Sequence, residues 1–136
     1  MANLTYRDFA VDEMSYLVCA YQKGLKRNPM VSQAQRIVEC MMKHYITVKL
    51  LNNTEVMVSH NLRTIYEYVE KTGLQVSSIR SDVMLLNNFY THTRYPGRDA
   101  FIATEQDVDA AYAACGRVFQ FFTEVFQHVD VYRNIP

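Results

Sequence analysis

Apolar side chains return every three or four residues through nearly the whole chain, and that period leaves little choice of fold. Met14, Leu17, Val18, Tyr21 and Leu25 mark a first amphipathic helix, closed by Gly24 and Asn28-Pro29. Asn28 is placed to cap a second helix with Pro29 at its first position. Ala34, Ile37, Val38, Met41, Tyr45 and Val48 then keep one face as far as Asn52-Asn53. Ser59 precedes a shorter helix with Leu62, Ile65, Tyr66 and Val69 inward, and Gly73 suits its left-handed end. Ser77 or Ser78 opens a fourth, with Ile79, Val83, Leu86 and Tyr90 inward. It cannot run smoothly past Tyr95, because Pro96 disfavours helical geometry before it. Thr104 and Asp107 cap the last helix, whose stripe is Val108, Ala111, Tyr112, Cys115, Val118, Phe119, Phe122 and Val125. No long alternating run competes with these helices. The expected fold is all-α: an antiparallel up-and-down helical bundle of four long helices and one short helix. It forms one domain over residues 1–136, with the core at about 8–127 and the tail from 130 to 136 loosely held.

A chain of 136 residues with 49% hydrophobic content can bury one core of this kind. Its 14 basic and 14 acidic side chains cancel, so no whole-molecule field draws it to nucleic acid or to an anionic membrane. Residues Met1 to Phe9 lack a basic region ahead of an apolar run. No segment approaches the roughly 20 apolar residues needed to span a bilayer, so a soluble, cytoplasmic protein without membrane partners is expected. Cys19, Cys40 and Cys115 are odd in number, far apart and set in apolar stripes. This favours buried, inert thiols over a disulfide framework or a metal-thiolate site. His44 and His128 have no metal-ligand partner one turn away, and His60 stands at a helix start, so no metal and no cofactor are expected. The four glycines form no phosphate-cradling motif, and Gly116 suits close helix packing.

The fourth helix carries the candidate site. At about 100° per residue, Arg80, Asn87 and Arg94 align along one margin of its buried face. Two guanidinium groups flanking an amide, with Tyr90 and Tyr95 close by, could hold a phosphate or stack a base. Arg94 also has a plainer reading, as a side chain bonding the last carbonyls of its own helix. Leu85, Phe89 and His92, with Asn88 at the edge, lie on the other side. Apolar residues turned from the core need a second neighbour, and a symmetry mate is favoured, which makes these four the candidate dimer interface.

Three separated segments carry a resemblance. Gln33-Ala34 is followed by Val38-Glu39-Cys40-Met41-Met42-Lys43, with Glu39 and Lys43 one turn apart. Ser59-His60-Asn61-Leu62 precedes the third helix, and Tyr90-Thr91-His92-Thr93-Arg94-Tyr95-Pro96 ends the fourth. In order and spacing these resemble the HEPN family, small helical domains of prokaryotes and higher eukaryotes often proposed to bind nucleotides. The resemblance implies a five-helix antiparallel bundle that usually forms homodimers. It also implies a possible protein partner, a minimal nucleotidyltransferase of the type paired with HEPN proteins in toxin-antitoxin systems. On the residues alone, Glu39 and Lys43 also read as an exposed ion pair worth a few tenths of a kcal/mol.

HEPN ribonucleases carry an arginine and a histidine with four to six residues between them. The pair supplies a fixed cation for the scissile phosphate and an imidazole for proton transfer. None of His44, His60, His92 and His128 has an arginine at that spacing, and in Asn87-Asn88-Phe89-Tyr90-Thr91-His92 the arginine position is held by Asn87. An amide carries no permanent charge, and losing such a cation costs on the order of a hundredfold or more in rate. The sequence therefore favours a binding module using Arg80, Asn87, Tyr90, Arg94 and Tyr95 over an enzyme. The alternatives are a divergent metal-independent endoribonuclease using His92 and a purely structural assembly domain.

Overall fold

A computed structural model describes residues 3–49, 54–94 and 96–129, apart from the side chains of Thr54, Tyr90, Thr91, His92, Arg94 and Val129. Its helices are α1 (Tyr6–Gln22), α2 (Asn28–Val48), α3 (Thr54–Met57), α4 (Leu62–Lys71), α5 (Arg80–Arg94) and α6 (Glu105–Val129), with a 3₁₀ turn at Ser77–Ile79. No strand occurs among the described residues. The fold is all-α, and α1, α2, α5 and α6 are the four long helices of the bundle.

Cross-helix contacts fix the directions. Glu13 and Arg36 pair across α1 and α2, while Tyr16 shares a cleft with Gln33 and Phe9 shares another with Cys40, so these helices run antiparallel. The start of α2 meets the end of α5 through Asn28 and Thr93, and Gln35 lies against Leu86, so α5 is antiparallel to α2. Asp82 reaches Arg117 and Phe89 lies beside Phe101, which makes α6 antiparallel to α5. Up-and-down order follows, with α4 laid against α2 and α5 as the short fifth element.

Leu17, Ile37, Val38, Met41, Met42, Ile65, Tyr66, Val83, Leu86, Val118 and Phe122 are fully buried and form one continuous core. At about 25 cal/mol per Å² of apolar surface, each large side chain of this kind stabilises the fold by about 1.5–3 kcal/mol before chain entropy is set against it. Thr104 and Asp107 close the expected reciprocal cap on α6, at 2.9 and 3.1 Å. A similar cap, not expected, joins Thr5 and Asp8 on α1. Gly73, with φ 96°, follows α4 in the left-handed conformation that the sequence suggested.

Several boundaries differ from expectation. Arg27, not Asn28, is the N-cap of α2, and Pro29 stands at its second position, because the Asn28 side chain is committed to the far end of α5. Asn61 rather than Ser59 caps α4, while the Ser59 hydroxyl accepts from the Asn61 N–H. Leu25 lies beyond the end of α1 and is 53% exposed. Cys19 is exposed rather than buried, since its position on α1 has turned away from α2 and α6. A Cβ at Gly116 would meet nothing within 4 Å, so no close helix approach explains that glycine. Helix α3 was not anticipated, and Asn52 and Asn53 lie outside the described residues.

Candidate functional site

Two of the residues singled out for a ligand site, Arg80 and Asn87, lie along the seam of α5 with α4. Asn87 points its amide oxygen at the start of α4, accepting from the Leu62 N–H at 2.9 Å. The Asn61 side-chain oxygen accepts from the N–H groups of Arg63 and Thr64, and its own N–H donates to the Ser59 hydroxyl at 3.1 Å. The four amide donors that a helix start leaves without intrahelical partners are thus all satisfied, one of them from another helix. Arg80, exposed at the opposite end of α5, places its guanidinium 5.6 Å from the centre of the Tyr66 ring. The side chains of Tyr90, His92 and Arg94, and all of Tyr95, lie outside the described residues.

Thr93 is buried, and its hydroxyl donates back to the Phe89 carbonyl at 2.7 Å. Its own carbonyl accepts from Asn28 Nδ2, which also donates to the Phe101 carbonyl, while Asn28 Oδ1 accepts from the Ala103 N–H. One amide at the start of α2 therefore holds both ends of the loop that links α5 to α6. Sequence periodicity had offered Asn28 only as a cap; a side chain that serves residues 65 to 75 positions away leaves no local signal.

Glu39, Lys43 and His60 form a second cluster, and it is not the exposed ion pair that their spacing suggested. Lys43 is only 3% exposed and its Nζ lies 2.9 Å from Glu39 Oε2; His60 Nδ1 lies 3.1 and 3.2 Å from the two Glu39 oxygens. A buried ammonium needs such a counter-charge, and the contact of the same carboxylate with His60 ties α2 to the turn before α4. The residues of the first two family-like segments therefore meet one another, and Asn87 joins the same turn from α5.

Of the candidate interface residues, Phe89 is buried and packs at 6.0 Å against the Phe101 ring; Leu85 is half-buried against the core, and Asn88 is exposed. Phe89 thus finds its second neighbour within its own chain. Two contacts had no sequence signal. Asp82, 7% exposed, accepts three hydrogen bonds from Arg117 at 2.8–3.1 Å across α5 and α6. Tyr21 stacks on Tyr112 at 3.8 Å and donates to Asp109 at 2.7 Å, which raises the phenol's pKa and, with Lys26, lowers that of the carboxyl. Among the described residues, no three His, Cys, Asp or Glu side chains gather to hold a metal ion, and no helix is long and apolar enough to cross a membrane.

The family model of the HEPN domain matches residues 19–125, most of the chain. The chain belongs to the HEPN domain family. Its Gln33–Lys43, Ser59–Leu62 and Tyr90–Pro96 segments all fall within the matched region. In this HEPN domain the first two segments share the Glu39 cluster, and Asn87 and Thr93 anchor the helix that carries the third. Comparison with curated proteins finds no match, and neither does comparison with solved structures.

Proposed function

We propose that this HEPN domain is a binding module rather than a nuclease: a homodimer that takes a nucleotide or another phosphate-bearing group. The observation that carries this reading is the use made of Asn87. Where the nuclease pattern has a cation for the scissile phosphate, this chain has an amide whose oxygen is occupied in capping α4. Arg80 remains exposed on the same seam, and Arg94 follows Asn87 by two helical turns. Together with Tyr90 and Tyr95 they supply charge and ring faces suited to a phosphate and a base. A minimal nucleotidyltransferase in a toxin-antitoxin pair is the protein partner this reading accommodates.

A thermal-shift series with nucleoside mono-, di- and triphosphates tests the proposal, because a ligand that binds only the folded state raises its melting temperature. We expect a rise that grows with ligand concentration and is lost in Arg94→Ala. No shift at millimolar nucleotide would overturn it. Cleavage of labelled RNA by the pure protein, abolished in His92→Ala, would replace binding by catalysis.

A further inference from the structure

The seam between α1 and α2 is closed inside by Ala10, Leu17 and Ala34 and open outside. Two clefts lie along it and share Arg36: one of about 500 Å³ reaches Tyr16 and Gln33, the other of about 380 Å³ reaches Phe9 and Cys40. Phe9 is 53% exposed and Tyr16 63%. They stand seven residues apart on α1, two turns, and therefore on one face. Between them lies exposed Asp12, which pairs with no cation among the described residues. Arg36 directs its Nε and Nη2 to a single oxygen of Glu13, and its side chain is still 59% exposed. A guanidinium carries five N–H donors in a planar fork, so an outer edge of Arg36 is left for a second carboxylate.

We propose that this seam is the surface through which two copies of the chain associate, about a two-fold axis running along it. The inference rests on the homodimer of the proposed function and gives it a place. Because α1 and α2 are antiparallel, rotation about an axis parallel to both exchanges the helices and keeps each residue at its own height. Asp12 then meets the partner's Arg36, Phe9 covers the partner's Cys40 and Tyr16 covers the partner's Gln33. Every contact occurs twice, as an isologous interface requires. A two-fold axis across the seam would instead set acid against acid at residues 12 and 13, so the charges select the orientation. Four half-exposed aromatic rings would shut water out from a central cation-carboxylate network, and aromatics with arginine are the residues that dominate such interfaces.

Light scattering on a sizing column, over a concentration series of the full chain, reads the outcome. We expect twice the monomer mass for the wild type. Asp12→Lys and Tyr16→Glu should each weaken association by about tenfold or more while the far-UV circular dichroism melt stays close to wild type. Leu85→Glu, on α5, should leave the dimer intact. A dimer split by Leu85→Glu but indifferent to Asp12→Lys and Tyr16→Glu would overturn the placement and leave the homodimer standing. A wild type that is monomeric at every concentration would overturn both, whatever the nucleotide series shows. A monomer whose nucleotide-induced stabilisation disappears in Tyr16→Ala would also overturn it, since the clefts would then hold a small ligand.

Discussion

Asn87 shows how one residue can be read in two ways. From its position it is an arginine that is missing; from its contacts it is a cap that is present, on a helix 25 residues earlier in the chain. The two readings predict different responses to substitution. Asn87→Ala leaves the Leu62 N–H without its partner and should cost about 1 kcal/mol. Asn87→Asp keeps an acceptor and places negative charge at a helix start, so stability should hold or rise slightly. Asn87→Arg has no acceptor to offer and brings a cation to the positive end of α4, so it should lose at least as much as alanine. Urea unfolding midpoints rank the three variants; an arginine variant as stable as the aspartate one would show that the cap is dispensable.

At the scale of the element, the helices were legible because burial imposes a three-to-four period on sequence. The stripe on α6 gives Val108, Ala111, Cys115, Val118 and Phe122 their interior places; Ala114 and Phe126, also fully buried, were not counted with them. What joins one element to another was not legible. Asn28, Asp82 and Glu39 are polar residues in helices, and nothing nearby in sequence reveals that their partners lie 75, 35 and 21 positions away. Boundaries failed for the same reason: Asn28 is a good capping residue that the fold uses elsewhere. Its role in fixing the α5–α6 loop carries a prediction. Asn28→Ala removes three hydrogen bonds at once and strands the N–H of buried Ala103, which should cost about 2–3 kcal/mol. Hydrogen exchange at Ala103 should quicken more than exchange in the middle of α2. Uniform acceleration through the bundle would mean that Asn28 holds the whole fold rather than one loop.

For the whole molecule, the three cysteines report on how the bundle opens. Cys19 is exposed on α1, whereas Cys40 and Cys115 are buried, and burial pushes their thiols up to about 11 and about 12. Only the thiolate reacts quickly, so at pH 8 a disulfide reagent should label Cys19 at once. Cys115, wholly inside, should wait for unfolding, and its labelling rate should rise with urea in step with global unfolding. The same shifts give stability a direction in alkali. Folded-state thiols with raised pKa values keep protons that the unfolded chain gives up near pH 9, so their contribution is complete below that pH. It is lost as the pH rises toward the folded-state values, and the urea midpoint should fall between about pH 9 and 11. Substituting Cys115 by alanine removes its proton linkage and should flatten part of that fall. An equally steep decline in that variant would assign the alkaline loss to other groups.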